Sequence, residues 1–169
     1  MQKVNACPPS TAVNCSDNLM VKEFSAGGIV YKKLRYPKTK NQKLMWLVAQ
    51  HSQHKGWVFP KGLIGDHKQG ENSEETAVRE VQEETGIRGK IIARLPSPVS
   101  YFYTWQGEKR FKTVTYFLME FVKGDIADHD WEMAQVEWLE KEEVEKRLTF
   151  KSDKIAFKQV LEIINAKRP

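Results

Sequence analysis

A cluster of glutamates with one arginine lies between residues 71 and 84 and has the spacing of a metal site. Glu80, Glu83 and Glu84 recur at intervals of three and four residues, so on an α-helix they share one side, within about 100° of one another. Like charges at this spacing destabilise an isolated helix by about 0.2–0.5 kcal/mol per pair. Grouped carboxylates are, however, the hard oxygen ligands that magnesium and manganese prefer. An exposed acidic helix face is the alternative for an isolated pattern of this kind.

Two further charged residues support the cluster. Arg79 projects from a third side of the same helix, where it can pair with Glu71 and tie the preceding loop to the helix. That loop is rich in glycine, and its carbonyl oxygens can complete a ligand set. Divalent cations held in this way bridge phosphate oxygens, activate water and stabilise charge on a leaving phosphate. The cluster therefore predicts phosphoanhydride chemistry.

Basic residues are concentrated next to the acidic cluster. The net charge is +5, and the segment from residue 32 to residue 68 has Asp66 as its one acidic residue. A basic rim beside carboxylates suits a multivalent anion that arrives with divalent cations. Solvated surface charge is the alternative for the lysine-rich hairpin between residues 31 and 43. The basic residues of the segment are Lys32, Lys33, Arg35, Lys38, Lys40, Lys43, Lys55, Lys61 and Lys68.

Length and composition indicate one globular domain. The 169 residues are 40% hydrophobic and 29% charged, and no apolar run reaches the roughly 18 residues of a membrane span, so we expect no membrane contact. Cys7 and Cys15 are too few for a disulfide framework, which favours a reducing, cytoplasmic setting. Residues 1–20 lack the apolar segment of a secretory signal, and we predict a flexible tail there, followed by one domain over residues 21–169.

The acidic cluster requires a helix from about residue 73 to residue 85, which Asn72 or Ser73 caps and Gly86 ends. A loop over residues 51–70 precedes it. The pair Gly27 and Gly28 marks a place where backbone or ligand approaches closely. The order of elements predicts a mixed sheet flanked by helices, in the α/β or α+β class. Strands are predicted at residues 23–31, 44–49, 90–95, 99–105, 111–122 and 136–139, a hairpin turn at 106–108, and helices at 141–148 and 153–166.

The cluster matches the Nudix box, G-x5-E-x7-R-E-U-x-E-E-x-G-U, in which U is a large aliphatic residue. From about residue 23 to residue 166 the chain resembles the Nudix hydrolase family. The resemblance implies an α/β/α sandwich and hydrolysis of a nucleoside diphosphate linked to another group. It also implies that the three helix glutamates bind Mg²⁺, with Mn²⁺ as the alternative, supported by the arginine and the first glutamate. The matching residues are Gly65, Glu71, Arg79, Glu80, Val81, Glu83, Glu84, Gly86 and Ile87.

The loop before the helix departs from the family pattern. In relatives the first glycine of the box usually belongs to a Pro-Lys-Gly triplet, but here Pro60-Lys61-Gly62 lies three residues too early. We interpret the difference as a three-residue insertion, with Gly62 offering its carbonyl oxygen to a metal ion. Gly65 has the nominal spacing and is the competing choice.

Several segments together resemble the diadenosine tetraphosphate hydrolases, in particular the bacterial enzymes akin to the animal type. The resemblance implies that Glu132 is a metal ligand or the general base, with a box glutamate as the alternative base. It also places Lys112 and Tyr116 near a polyphosphate. Lys61 is a further candidate because it lies next to Gly62 and the box, with a charged loop tip as the alternative. The segments are Trp57-Val58-Phe59-Pro60-Lys61-Gly62, Tyr101-Phe102-Tyr103-Thr104-Trp105, Phe111-Lys112-Thr113-Val114-Thr115-Tyr116-Phe117-Leu118 and Trp131-Glu132.

An aromatic side chain of the predicted hairpin can stack on adenine, because stacking contributes about 1–3 kcal/mol per base and depends little on base identity. Tyr103 is the first choice and Tyr101 the second. Aromatic residues on strands more often belong to the core. We assign to the core Trp46, Phe102, Phe111, Phe117 and Trp138.

The sequence thus predicts a magnesium-dependent hydrolase of acid anhydrides that cleaves a small-molecule nucleoside polyphosphate, most simply diadenosine tetraphosphate to ATP and AMP. A different diphosphate is one alternative: an RNA 5′-triphosphate end, an inositol pyrophosphate or a damaged nucleoside triphosphate, anchored by the basic hairpin. A catalytically silent Nudix module that binds nucleotide or RNA is another, and the intact glutamates argue against it. The oligomeric state stays open.

Overall fold

The computed structural model describes residues 20–35 and 42–166. Outside the described residues lie the predicted tail up to residue 19, with Cys7 and Cys15, and also Lys38 and Lys40 of the basic hairpin. The strands are β1 (Val21–Arg35), β2 (Gln42–His51), β3 (Trp57–Val58), β4 (Lys61–Leu63), β5 (Ile87–Arg94), β6 (Val99–Trp105), β7 (Glu108–Gly124) and β8 (Met133–Leu139). The helices are α1 (Ser73–Thr85), α2 (Lys141–Arg147) and α3 (Lys151–Ala166), with a 3₁₀ turn at Ile126–Asp128.

The strands form one mixed sheet, as the sequence predicts. Its central path runs β3-β2-β1-β7-β5, and β4, β6 and β8 join β1, β7 and β2 respectively. The long strands β1 and β7 are parallel, whereas the other pairs are antiparallel. Gln106 and Gly107 both have positive φ in the turn between β6 and β7, which is the geometry of a tight hairpin and confirms the predicted turn.

Helices cover both faces of the sheet, and the chain is therefore an α/β/α sandwich. On one face, α1 packs Ala77 and Val81 against strand residues such as Leu47 and Met119. On the other face, Phe157 of α3 belongs to a second apolar cluster. Residues on alternate strand positions enter different clusters, because successive side chains of a strand point to opposite faces. Among the described residues, no helix has the length and apolar character needed to cross a membrane.

The predicted loop over residues 51–70 contains two short strands that the sequence pattern does not reveal. The second of them, β4, pairs with β1 and brings Gly62 opposite Ala26. The predicted close approach at the glycine pair is confirmed, since a Cβ at Gly27 would collide with the carbonyl oxygen of Pro60. Because Gly27 has no side chain, β4 can lie against β1. This pairing also places Gly62 of β4 next to Glu80 of α1.

Candidate active site

Helix α1 begins and ends where the sequence predicts. The Asn72 side chain accepts hydrogen bonds from the amides of Glu74 and Glu75, and the Glu75 carboxylate accepts one from the Asn72 amide. This reciprocal capping satisfies amide groups that the first helical turn leaves unpaired. Gly86 ends the helix with φ of 71°, a left-handed conformation that glycine adopts without strain. Residues next to the helix fix both of its ends, so they also determine which helical positions the glutamates of the acidic face occupy.

Two of the helix glutamates are buried between α1 and β4. Glu80 is 7% exposed and Glu84 is 5% exposed. The Glu80 carboxylate lies so close to Gly62 that a Cβ there would overlap it. The Glu84 carboxylate accepts a hydrogen bond of 3.2 Å from the Lys61 amide. Of the two candidate glycines, Gly62 is therefore the one in contact with the buried acids.

Burial makes ionisation of both acids costly. Removal from water raises the pKa of Glu80, although the adjacent Arg79 guanidinium opposes the change. Burial also raises the pKa of Glu84 well above its ordinary value, against the opposing charge of Lys61, and the nearby Glu80 and Glu132 carboxylates raise it further. The two acids thus form a site with an excess of buried negative charge, which a cation would relieve.

Arg79 connects four carboxylates around the start of this site. Its Nε and Nη2 donate to the two oxygens of Glu71, each at 2.9 Å, which is the pairing that the sequence predicts. Nη1 donates to Glu80 at 2.7 Å and to Glu83 at 2.9 Å, and Nη2 also reaches Asp66 at 3.1 Å. Hydrogen bonds from Arg79 and Thr76 hold the pKa of the buried Glu71 below its ordinary value. The arginine therefore anchors the loop before α1 and also neutralises part of the acidic face.

The predicted metal ligands do not converge on one point as the side chains stand. In the described ranges, no group of three acidic, histidine or cysteine side chains is close enough to hold a metal ion. Arg79 Nη1 donates to both Glu80 and Glu83, so the arginine is the cation that these two carboxylates bind here. The donor set nevertheless fits a divalent cation, because carboxylate oxygens and a loop carbonyl are hard ligands and burial makes the ionised acids costly without one. A bound cation would have to replace Arg79 Nη1 beside Glu80 and Glu83, while Nε and Nη2 remain paired with Glu71.

Glu132 approaches α1 from the segment before β8. The Asp130 amide donates to the Glu83 carbonyl at 3.1 Å, and the Glu132 amide donates to the Asp130 side chain at 2.9 Å. Burial raises the pKa of Glu132, and the charges of Asp130, Glu83 and Asp66 raise it further. The structure therefore brings Glu132 to the acidic face of α1, although no hydrogen bond joins its side chain to the helix glutamates among the described contacts.

Lys61 lies on the other side of the buried acids. Its Nζ donates to the Phe59 carbonyl at 3.4 Å. Burial lowers the pKa of Lys61, but the charges of Asp153, Tyr101, Glu84 and Glu80 outweigh burial and raise it. The ammonium group is therefore held charged near Asp153, the two buried acids of α1 and Tyr101 of β6.

Two predicted substrate residues, Tyr103 and Lys112, are joined by a glutamate that the sequence does not single out. The Tyr103 hydroxyl donates to Glu23 at 2.6 Å, and Arg110 Nη1 donates to the same carboxylate at 2.8 Å. Lys112 Nζ lies 3.6 Å from Glu23 and 5.6 Å from the centre of the Tyr103 ring. Burial raises the pKa of Tyr103 to about 12, and its hydrogen bond to Glu23 adds to the effect. Tyr101 lies 6.3 Å from Tyr103, ring centre to ring centre.

A model of the NUDIX domain matches residues 36–160 of this chain. The chain belongs to the Nudix family. This family comprises hydrolases that act on phosphoanhydrides, in agreement with the chemistry that the acidic cluster predicts. The matched segment includes α1, β4 and the segment that carries Glu132.

Curated relatives have different activities. The MutT4 protein of Mycobacterium tuberculosis (strain CDC 1551 / Oshkosh) is 36% identical over 134 residues, which cover 79% of this chain and 52% of that protein. The chain thus spans about half the length of MutT4. The asymmetrical bis(5′-nucleosyl)-tetraphosphatase of Rattus norvegicus is 34% identical over 64% of this chain and 69% of its own length. The RNA pyrophosphohydrolase of Erythrobacter litoralis (strain HTCC2594) is 30% identical, covering 72% of this chain and 86% of the relative.

Solved structures confirm the fold. A Caenorhabditis elegans Ap4A hydrolase in a binary complex superposes with a TM-score of 0.61 at 21% identity, covering 85% of this chain and 98% of the other. A MutT protein from Bacillus halodurans gives a TM-score of 0.61 at 26% identity and covers 82% of each chain. The α/β/α sandwich expected from the resemblance is therefore the sandwich of Nudix proteins.

Some expectations about individual residues of this Nudix domain need correction. Tyr116 is 2% exposed and donates to Asp153 at 2.9 Å, so it lies beneath the site, where it has no surface for a direct phosphate contact. Phe102 is 58% exposed, so its assignment to the core is wrong. Phe102 follows Tyr101 on β6, and alternation turns it to the opposite face, where it packs against Phe111 and has Lys109 over its ring. Trp46 and Phe117 are buried as expected.

The sequence-based prediction missed three acidic residues of this region. Asp66 accepts a hydrogen bond from Arg79, and Glu23 accepts one from Tyr103. The buried Asp153 accepts hydrogen bonds from Tyr116 and from the Phe59 amide. For Asp66 and Glu23 a signal exists, since each is an isolated acid within a basic or apolar stretch. Asp153 has none, because an acid in the first turn of a helix is ordinarily explained by the helix dipole.

Proposed function

We propose that this Nudix protein hydrolyses dinucleoside polyphosphates, with diadenosine tetraphosphate giving ATP and AMP. The observation that carries the proposal is the attachment of Lys61 to the buried acids of α1, where its amide donates to Glu84 at 3.2 Å and its ammonium group interacts with Tyr101 of β6. A polyphosphate needs a metal site and a cation beside it, and an attached nucleoside needs an aromatic surface next to that cation. The curated tetraphosphatase from rat adds support, since it shares 34% of its aligned residues with this chain.

The acidic side of the site would hold the metal. Glu80, Glu83 and Glu84, with the Gly62 carbonyl and Glu132, supply oxygen ligands of the kind that Mg²⁺ prefers. When bound, Mg²⁺ neutralises phosphate charge and makes water more acidic. Contact between Gly62 and the Glu80 carboxylate supports Gly62 over Gly65 as the loop ligand. Arg79 would keep the loop fixed through Glu71 during turnover.

Glu132 is the proposed general base. Its raised pKa brings it closer to neutrality than an ordinary glutamate, which suits a group that accepts a proton from attacking water. Two anchors position it, namely the Asp130 contact with the Glu83 carbonyl and a hydrogen bond of 2.8 Å from the Ser52 amide to its own carbonyl. A box glutamate such as Glu84 is the alternative base, and its raised pKa suits it equally.

The basic side of the site would bind the polyphosphate and one base. Lys61 and Lys112 would offset phosphate charge. Burial lowers the pKa of Lys112, as does the charge of Lys61, so a polyanion between the two ammonium groups would stabilise both. Tyr103 or Tyr101 would stack on adenine.

A second function deserves the same test, because the curated RNA pyrophosphohydrolase aligns over 86% of its length. In that reaction the substrate is the triphosphate at an RNA 5′ end, and the products include pyrophosphate. The net charge of +5 favours binding of RNA as much as of a free polyphosphate. The rings of Tyr101 and Tyr103 suit one stacked base in either substrate, so they do not distinguish the two proposed functions.

We further propose that residues 21–169 form one Nudix hydrolase domain and that the protein acts in a reducing, cytoplasmic setting. The two cysteines of the chain, both before β1, support the second point, since no disulfide is available to the domain. Magnesium is the proposed cofactor, with manganese as the alternative, because the ligand chemistry suits both ions.

A substrate panel tests the proposed function. Purified protein is incubated with Mg²⁺ and, separately, diadenosine tetraphosphate, 5′-triphosphorylated RNA, inositol pyrophosphate and oxidised nucleoside triphosphates, and the products are separated by chromatography. We expect ATP and AMP from the first substrate, with a kcat/KM at least tenfold above that for the others. Glu80→Gln provides the inactive control. Release of pyrophosphate from RNA at a higher kcat/KM would select the second function, and turnover of no substrate would indicate a silent module.

A further inference from the structure

Trp131 is an exposed tryptophan at the edge of the proposed site. It is 75% exposed, and no other large apolar side chain among the residues described is more so. Exposed indole surface is unfavourable in water, so a tryptophan in this position commonly marks a binding surface. The next residue in the chain is Glu132, which faces the acidic side of α1.

The backbone on both sides of Trp131 is fixed. Before it, the Asp130 amide donates to the Glu83 carbonyl at 3.1 Å. After it, the Glu132 amide donates to the Asp130 carboxylate at 2.9 Å, and the Glu132 carbonyl accepts from Ser52 at 2.8 Å. The indole is thus presented by a turn that is tied to α1 and to the segment after β2. A large apolar side chain on a rigid support costs little conformational entropy when a flat ligand binds to it.

Two separate segments with an aromatic side chain are attached to the acidic part of α1. The segment of Lys61 is attached through the Lys61 amide, which donates to the Glu84 carboxylate at 3.2 Å, and Lys61 also interacts with Tyr101 of β6. The segment of Trp131 is attached through the Asp130 amide, which donates to the Glu83 carbonyl at 3.1 Å. A polyanion bound at the acidic cluster would therefore have Tyr101 and Trp131 as the aromatic groups nearest to its two ends.

We propose that Trp131 stacks on the second nucleobase of a dinucleoside polyphosphate and thereby selects substrates that have a base at both ends. The inference rests on the proposed function, because it assigns the second end of the same substrate. A nucleoside polyphosphate with one base gains nothing from the indole once that base lies on the tyrosines. Stacking of one base is worth a factor of roughly 5 to 150 in affinity, and it depends little on which base is bound.

The test compares two substrates of equal phosphate number. Diadenosine tetraphosphate has two bases, and adenosine 5′-tetraphosphate has one. We expect Trp131→Ala to lower kcat/KM for diadenosine tetraphosphate about tenfold, mainly through KM, and to change kcat/KM for adenosine 5′-tetraphosphate less than twofold. Trp131→Phe keeps a stacking surface and should recover most of the loss. Because the side chain is exposed, none of these variants should alter the unfolding temperature by more than about 2 °C.

Phe102→Ala is the matched control, since Phe102 is also an exposed aromatic residue but lies on the face of β6 opposite Tyr101 and Tyr103. It should leave both substrates unaffected. An equal loss on both substrates in Trp131→Ala would overturn the inference, because the residue would then act on the phosphate site through the turn. Unchanged kinetics would overturn it as well. If the wild-type protein cleaves no dinucleoside polyphosphate, the proposed function fails together with the inference, whereas failure confined to the variant leaves the proposed function intact.

Discussion

The amide of Lys61 donates a hydrogen bond to the carboxylate of Glu84 across 3.2 Å, so an acid of the box helix holds the loop that carries the Pro-Lys-Gly triplet. The same carboxylate is almost completely buried, next to that of Glu80. Its one strong positive neighbour is Lys61, whose charge acts against the effect of burial. Ionised Glu84 therefore favours metal binding and at the same time destabilises the metal-free protein.

Replacing Glu84 by glutamine should separate these two effects. Glutamine retains an oxygen that can accept from the Lys61 amide but has no charge to bury. We expect kcat to fall at least a hundredfold, while the unfolding temperature of the metal-free protein at pH 8 rises by a few degrees. Calorimetry and steady-state kinetics on the same preparations measure both. Glu74→Gln, on the exposed first turn of α1, is the control and should change neither strongly.

The stability effect should depend on pH in a defined direction. The folded-state pKa of Glu84 is raised above the value in the unfolded chain, so its contribution to stability is complete below the unfolded value of about 4.5 and is lost as pH rises through the folded value. The advantage of Glu84→Gln over the wild type should therefore vanish near pH 4.5 and grow towards pH 8. Added Mg²⁺ should stabilise the wild type most at pH 8, where the carboxylates are ionised. A metal-induced rise that is equal at pH 5 and pH 8, or that persists in Glu84→Gln, would contradict the assignment.

How far these features could be predicted from the sequence depends on how local their causes are. The bounds of α1 were predictable because Asn72 and Gly86 act on residues within one turn. Strand β4 was not, because three residues have no readable period and its pairing with β1 joins segments about 35 residues apart. The shared role of Arg79 was only partly predictable. Spacing indicates the Glu71 pair and, through the i,i+4 relation on α1, allows the contact with Glu83, but the contact with Asp66 depends on where the loop folds back.

Glycine substitutions should distinguish the two candidates for the loop ligand. At Gly62, a methyl group would press on the Glu80 carboxylate, which can move because it is the end of a flexible side chain. We therefore expect Gly62→Ala to lower kcat/KM more than tenfold with a small change in stability. At Gly65, the added methyl group meets the Lys68 carbonyl oxygen at an ordinary contact distance of 4.0 Å, but φ is +82°, which costs an alanine about 1 kcal/mol. Gly65→Ala should thus lose stability and keep most of its activity, as enzyme assays and urea unfolding can show. The reverse pattern would make Gly65 the ligand.

Tyr103 should contribute its ring and not its hydroxyl to substrate binding. The hydroxyl is already engaged with Glu23, which keeps Arg110 and Lys112 as partners when the hydroxyl is removed. Tyr103→Phe should accordingly leave KM for diadenosine tetraphosphate within twofold, whereas Tyr103→Leu should raise it about tenfold, the value of one lost stacking contact. Equal effects of the two substitutions would assign Tyr103 a role through Glu23 alone. Steady-state kinetics at saturating Mg²⁺ measure the difference.

The ion pair between Glu71 and Arg79 should be worth more to stability than any surface pair of this chain. Glu71 is 9% exposed and receives both Nε and Nη2 of the arginine, an arrangement that lysine cannot reproduce. Arg79→Lys leaves a buried carboxylate without its partner and should cost about 3 kcal/mol in urea unfolding of the metal-free protein. The double variant Glu71→Gln/Arg79→Gln should cost less than the sum of the two single variants, because neither charge is then left alone.

Lys33→Gln is the control for the Glu71 and Arg79 variants. Its ion pair with Glu120 has a distance of 2.8 Å, similar to those of Arg79, but both side chains are about 40% exposed. Exposed pairs contribute about 0–1 kcal/mol, so the loss should be at least three times smaller than in Arg79→Lys. Additive losses in the Glu71 and Arg79 cycle, or a loss in Arg79→Lys no larger than in Lys33→Gln, would show that the loop before α1 is held by other contacts. In that event the position of Gly62 next to the Glu80 carboxylate would depend on β4 and its pairing with β1.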